Sequence, residues 1–257
     1  MLRSRVIPCL LVHNKGLVKT VKFKPHKYVG DPINAVKIFN EKEVDELIVL
    51  DIDATVNGAE PNYQMIEHLA NESRMPLCYG GGVKTPEQAQ KIIKLGVEKL
   101  ALSSEAIYNP NVLVDIANII GRQSVVVVLD VKKTLFGSYE IYTHNGKKKV
   151  KKDLFEFISE LETIGIGELI INSIDNDGVM KGYDLALIKK VREHVSIPLT
   201  VLGGAGSADD IINIIDEYKV IGASAGSLFV FKGVYKAVLI SYLPELALQK
   251  IRQISKA

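Results

Sequence analysis

The chain has 257 residues, 47% of them hydrophobic and 24% charged, with 32 Lys and Arg against 30 Asp and Glu. A net charge of +2 is too small to argue for a nucleic-acid or membrane-surface partner. No apolar run approaches the ~18 residues a membrane span needs, and the N-terminus lacks the apolar core of a signal peptide, so a cytoplasmic location is expected.

Short apolar runs alternate with helical patterns along the chain. Strands are expected at residues 5–12, 46–51, 77–79, 99–102, 124–130, 168–172, 199–202 and 220–223. They are continuous apolar runs, which suits strands buried on both faces. Cys9 and Cys78 fall in such runs and are expected as buried free thiols. The clearest helix opens at Thr85-Pro86-Glu87-Gln88, with an N-cap Thr, Pro at the first helical position and Gln three residues after the cap. Ala89, Ile92 and Ile93 follow at helical spacing, and Gly96 stops the run. A matching helix opens at Ser207, with Ile211, Ile212 and Ile215 on one face. Two longer inserts stand out. Residues 13–31 follow the first strand; residues 133–150 follow the fifth and contain 139–143 and the turn signal Asn145-Gly146. The basic run at 147–152 (KKKVKK) reads as a solvated loop.

The chain also repeats itself. Glu46-Leu47-Ile48 recurs 122 residues later as Glu168-Leu169-Ile170, and at the same offset Pro76-Leu77 recurs as Pro198-Leu199 and Gly81-Gly82 as Gly203-Gly204. Eight strands alternating with eight helices in this length predict one (β/α)8 barrel over 1–257, made of half-barrels at about 1–122 and 123–245. An open doubly wound sheet is the competitor, but the segment after the first strand lacks its glycine fingerprint. Both inserts then belong to the C-terminal face, where barrel active sites sit.

Gly80-Gly81-Gly82 follows the third strand and Gly203-Gly204-Ala205-Gly206 the seventh. Glycine lets backbone N–H groups approach an anion, and the next helix N-terminus adds a positive dipole. Each loop is completed after the next strand, by Ser103-Ser104 in one half and Ala225-Gly226-Ser227 in the other. The pairing points to two phosphate sites for a ligand carrying phosphate at both ends; the plainer alternative is that these glycines only make tight turns. Carboxylates also end several strands: Asp51, Asp53, Asp130, Asp175 and Asp177. Such a group costs energy unless it is solvated or used. Asp130 is the candidate general acid or base, unless it only caps its loop. Asp175 and Asp177-Gly178 read first as turn formers. Lys19, in the loop after the first strand, is a candidate to close over an anionic substrate, unless it is only an exposed lysine. At the other ends of the strands, Arg5, Glu46, Lys99 and Glu168 predict a ring of alternating charge, a plug or a gate. No metal or cofactor is expected.

Taken together, the stretches RVIPCLLV, GDPINAVKIFNEKEVDELIVLDIDAT, GGGVKTPEQA, VVVVLDVK, YTHNG, INSIDNDGVMKGYDL and GGAG resemble the cyclase subunit of imidazole glycerol phosphate synthase, over nearly the whole chain. The resemblance implies a barrel docked through its N-terminal face onto a glutaminase. Ammonia from that partner passes a charged gate and meets a bis-phosphorylated ribulosyl nucleotide at the C-terminal face. It makes Arg5, Glu46, Lys99 and Glu168 the gate. It places Lys19, Gly82, Ser104, Gly203, Gly204 and Ser227 at the substrate, with Gly81, Ser103, Asp177, Gly178 and Gly226 beside them, and makes Asp130 one of two catalytic carboxylates. The other belongs to the motif P-C-L-D-V, where this chain reads Pro8-Cys9-Leu10-Leu11-Val12. Ser103 stands where an Asn is usual, and Val179 where a hydroxyl is usual. Because leucine transfers no proton, the expectation is a divergent relative that passes ammonia to a third, amidotransferase-type enzyme forming an amidino sugar for surface polysaccharide. The alternative is a working cyclase of histidine biosynthesis, with Asp53 or His13 standing in at Leu11. A ribose-phosphate isomerase of the sister barrel family is a third reading.

Overall fold

A computed structural model describes residues 3–255. Eight strands, β1 (Arg5–His13), β2 (Leu47–Asp51), β3 (Leu77–Gly80), β4 (Lys99–Leu102), β5 (Val125–Lys133), β6 (Glu168–Ser173), β7 (Leu199–Leu202) and β8 (Gly222–Ala225), pair in chain order. Every pairing between them is parallel, and β8 returns to β1, so the sheet closes. Helices fill the connections outside, among them Pro32–Glu41, Pro86–Lys94, Leu154–Ile164 and Ala208–Tyr218. The chain is a (β/α)8 barrel.

Successive side chains on a strand point to opposite faces, so one continuous apolar run supplies two cores. Val6, Leu10 and Val12 on β1 pack outward in the layer between barrel and helices. Ile7 and Cys9 point inward, into a smaller cluster with Ile48, Cys78, Val126, Val128 and Ile170. Both cysteines are buried free thiols. Each fully buried Leu or Ile stabilises by roughly 1.5–3 kcal/mol, so the shell of helices is held mainly by this outer layer. The two predicted helix starts are present as capping boxes, Thr85 with Gln88 and Ser207 with Asp210. Among the described residues no helix is long and apolar enough to cross a membrane.

The structure corrects three boundaries. The last barrel strand is Gly222–Ala225, two residues later than expected. Lys219 ends the preceding helix with a positive φ of 58°, leaving Val220 and Ile221 as connection. Pairing begins at Gly222, whose missing Cβ leaves room for the Thr200 hydroxyl. β5 runs three residues past Asp130 because Tyr139–Thr143 folds back on it, and Lys148–Asp153 then pairs with that strand. The basic run is therefore largely a strand and not a loop. The first insert also becomes a hairpin, Gly16–Val21 with Lys24–Gly30, laid on β1. Both hairpins rise from the C-terminal ends of the barrel strands.

Candidate functional site

At the N-terminal end of the barrel, the four predicted ring residues meet. Arg5 Nη1 donates to Glu46, and its Nη2 donates to Glu168 Oε1 at 2.8 Å. Lys99 Nζ reaches Glu46 Oε2 and Glu168 Oε2, each at 2.9 Å. Each carboxylate thus touches both cations. Burial works to raise the Glu168 carboxyl, but Arg5 and Lys99 beside it prevail and hold it at about 2. The Thr200 hydroxyl also donates to Glu168. Above the ring lies the apolar inner cluster, and above that the mouth.

At the mouth, two cavities meet at Asp130. One, of about 80 Å³, is lined by Lys19, Asp177, Gly178, Gly203, Gly204, Gly226 and Ser227, together with Leu11 and Asp130. The other, of about 110 Å³, is lined by Gly81, Gly82, Ser103, Ser104 and again Asp130. The residues predicted for the substrate thus fall into one cavity per half of the repeat, except that Lys19 of the first half lines the cavity of the second. The symmetry extends to the backbone. Gly81 lies so close to Asp51 that an added Cβ would stand 2.6 Å from its carbonyl oxygen, and Gly203 stands in the same relation to Ser173. Their φ values, 133° and 91°, lie where side chains are strained. A short helix begins at each cavity, Ser104–Tyr108 and Ser227–Val230, and neither start has a side-chain cap. Their first N–H groups are left for an outside acceptor.

Asp130 is half-buried where the two cavities meet. Its Oδ1 accepts from Asn172 Nδ2 at 2.8 Å. Burial raises its pKa, and the Asp177 carboxylate raises it further, against the Asn172 hydrogen bond, to about 7. Asp177 is raised as well, chiefly by burial, while Thr20 Oγ1 donates to it at 2.8 Å. Lys19 points into the cavity from the first hairpin. Its Nζ donates to the Cys9 carbonyl at 2.5 Å, and burial lowers its pKa.

A family model described as "Histidine biosynthesis protein" matches residues 5–236. A Vibrio vulnificus protein, provisionally named imidazole glycerol phosphate synthase subunit hisF3, is 62% identical over 94% of this chain and 94% of its own length. A Leptospira borgpetersenii protein, provisionally named imidazole glycerol phosphate synthase subunit HisF, is 56% identical over 94% of this chain and 96% of its own. The Streptococcus sanguinis imidazole glycerol phosphate synthase subunit HisF is 37% identical over 89% and 91%. The chain belongs to the HisF family of imidazole glycerol phosphate synthase subunits.

Leu11 stands in the wall of the Asp130 cavity with no proton to give. The two residues considered as stand-ins are not there. His13 Nδ1 and Asp53 Oδ1 are 2.6 Å apart at the rim, Asp53 Oδ2 accepts from the Asn14 N–H at 2.7 Å, and neither lines either cavity. The second carboxylate in the cavity is Asp177. Asp175 accepts from the Lys133 N–H at 2.8 Å, and Asp51 from the N–H groups of Asp53 and Ala54, so both act as turn formers. Sequence reasoning missed Thr20, His26, Asn145 and Asn172, which also line the first cavity. Asn172 had a signal: it is the strand neighbour of Asp130 in register. Its Oδ1 is buried without a hydrogen-bond partner.

Proposed function

We propose that this chain is the barrel subunit of a glutamine-dependent imidazole glycerol phosphate synthase complex, with a weakened cyclase step. The observation that carries the reading is the stacking along the barrel: paired ring, apolar lumen, then Asp130 between two glycine-walled cavities. A glutaminase subunit sits against the N-terminal face and releases ammonia. The ring of Arg5, Glu46, Lys99 and Glu168 gates its entry, and the apolar lumen favours the neutral molecule over ammonium. At the mouth, a bis-phosphorylated ribulosyl nucleotide places one phosphate at Gly81, Gly82, Ser103 and Ser104, and the other at Gly203, Gly204, Gly226 and Ser227. Ammonia attacks the ligand between them, giving imidazole glycerol phosphate and an aminoimidazole carboxamide ribotide.

Asp130 moves the protons of that reaction. With a pKa near 7, it is present in both forms at neutral pH, which suits a group that must take and return a proton. Asp177, in the same cavity, is the remaining carboxylate able to help. Cavities of about 80 and 110 Å³ are small against the several hundred Å³ of ordinary ligand sites. Lys19 on the first hairpin walls the smaller of the two, its Nζ held by the Cys9 carbonyl. General acid–base help is typically worth 10²–10⁴-fold, so Leu11 sets the cyclase back by about that factor.

Leu11 also favours a second reading: the ring step is lost, and the barrel passes ammonia to a third enzyme for amidino-sugar formation in surface polysaccharide. The names of the relatives support the synthase reading over this one. A coupled assay decides, with the glutaminase partner and the bis-phosphorylated nucleotide. Slow formation of imidazole glycerol phosphate, abolished in Asp130→Asn, supports the synthase. No product, with glutaminase turnover still dependent on this chain, overturns it in favour of the second reading.

A further inference from the structure

Among the described residues Lys19 is the only buried lysine, at 5% exposed. It lies on the first hairpin, in the strand Gly16–Val21, which pairs with β1 from Leu11 to His13. The hairpin is tied down on both sides of it. Leu17 and Val18 are buried ahead of it. Beyond it, Thr20 Oγ1 donates to the Asp177 carboxylate at 2.8 Å, and the Lys22 N–H donates to the Asp177 carbonyl at 2.9 Å. The side chain is thereby held in the cavity of Gly203, Gly204 and Gly226. Gly226 has no Cβ, and the Lys19 amine takes the space this leaves.

Lys99, at the other end of the barrel, meets Glu46 and Glu168 at 2.9 Å each. Lys19 has no such partner among the described residues; its one hydrogen bond goes to the neutral Cys9 carbonyl, at 2.5 Å. Asp177 acts on it from farther off and is outweighed by burial, which lowers its pKa. Leu11, Leu202 and Ala225 wall the same cavity with carbon. An ammonium carries three N–H donors, and leaving donors of a buried charge unpaired is costly. An uncharged amine needs less: it donates to the Cys9 carbonyl and keeps a lone pair. A desolvated lysine in this state is a nucleophile toward carbonyl carbon.

We propose that Lys19 is such a nucleophile and forms an imine with an open-chain ketose phosphate seated in this cavity. The proposal rests on the reading of Gly203, Gly204 and Gly226 as a phosphate site. With a phosphate there and the amine against Gly226, a ketone one carbon from the phosphate ester comes within reach of Nζ. The Nζ lone pair bonds to the carbonyl carbon, and the C=O π pair moves to oxygen. One amine proton passes to that oxygen. A second proton lets the hydroxyl leave as water while the nitrogen lone pair closes the C=N bond, and the iminium then returns a proton. Asp130 and Asp177 line the same cavity and carry these protons. One amine and one ketone give one imine and one water, with no oxidant or reductant.

The test incubates the full chain at neutral pH with dihydroxyacetone phosphate, a small ketone chosen for a cavity of about 80 Å³. Sodium borohydride then reduces any imine to a stable secondary amine, and the digested chain is read by mass spectrometry. The expected result is one modified lysine, Lys19, gaining the mass of the ketose phosphate less one oxygen. The exposed Lys22 and Lys24 of the same hairpin stay unmodified. Excess inorganic phosphate should suppress the adduct, and Lys19→Met and Lys19→Arg should both abolish it, with circular dichroism checking that they remain folded. Binding of inorganic phosphate to the parent, measured by calorimetry, separates this proposal from the reading beneath it. Phosphate binding without an adduct overturns the proposal alone and leaves Lys19 a counter-ion. Neither binding nor adduct overturns both. An adduct spread over exposed lysines, or persisting in Lys19→Met, overturns the proposal as chance glycation.

Discussion

The two ends of the barrel hold the same kind of side chain in opposite states. At the base, Glu168 is buried and touches Arg5 and Lys99, and its pKa is held at about 2. At the mouth, Asp130 is half-buried and also loses water to its surroundings, but it faces the neutral amide of Asn172 and the like charge of Asp177, and its pKa rises to about 7. Desolvation acts on both, so the neighbour decides. A carboxylate between cations is fixed as a charge, and one without them sits ready to exchange protons. The base therefore suits gating and support, and the mouth suits chemistry.

The sharpest break in that contrast is Asp130→Asn, which keeps the shape and removes the exchangeable proton. Product formation from added ammonium salt should fall about 10²–10⁴-fold, measured in steady state without the glutaminase so that the ring is not under test. Next is Glu168→Ala at the base. Breaking a buried ion pair costs about 3–5 kcal/mol; the retained Glu46 contacts put this site at the lower end, read by denaturant unfolding. The pH dependence of stability separates the two ends again. Folding raises the Asp130 pKa, so its stabilising contribution is full below about pH 4 and is lost as pH rises through about 7. Between pH 5 and pH 8 the parent should lose on the order of 1–4 kcal/mol relative to Asp130→Asn. The smallest effect tests the cavities: Gly203→Ala forces a Cβ to 2.6 Å from the Ser173 carbonyl at a φ of 91°. It should cost roughly 1–3 kcal/mol in thermal unfolding, and Gly81→Ala a similar amount if the repeat is as symmetric as it reads.

Much of this was legible because the decisive residues end or begin apolar runs. Asp130 closes a run of four valines and a leucine, and the ring residues open theirs, so their places follow once the barrel is recognised. The paired glycine loops announce themselves through the 122-residue offset. The first hairpin did not, because Lys24–Gly30 reads KPHKYVG, polar and interrupted by Pro25. It is tolerated because this strand pairs on one side only, with Gly16–Val21, and an edge strand accommodates proline. Thr20 and His26 were equally silent, since their meaning lies in how the hairpin folds over the mouth, while the signal of Asn172 is read only through its register with Asp130. The same hidden hairpin explains why His13 and Asp53 looked like substitutes for a missing acid: they are near Leu11 in sequence or strand order, yet the structure binds them to each other at the rim.

One measurement tests the account most directly: imidazole glycerol phosphate formation by this chain and by Leu11→Asp, each with the glutaminase partner and the bis-phosphorylated nucleotide. The account predicts slow turnover in the parent, about 10²–10⁴-fold below an ordinary rate of roughly 10 s⁻¹, and at least a tenfold gain in Leu11→Asp. No product from either chain, while glutaminase turnover still requires the barrel, would contradict it and leave the mouth as an outlet for ammonia rather than a site of ring closure.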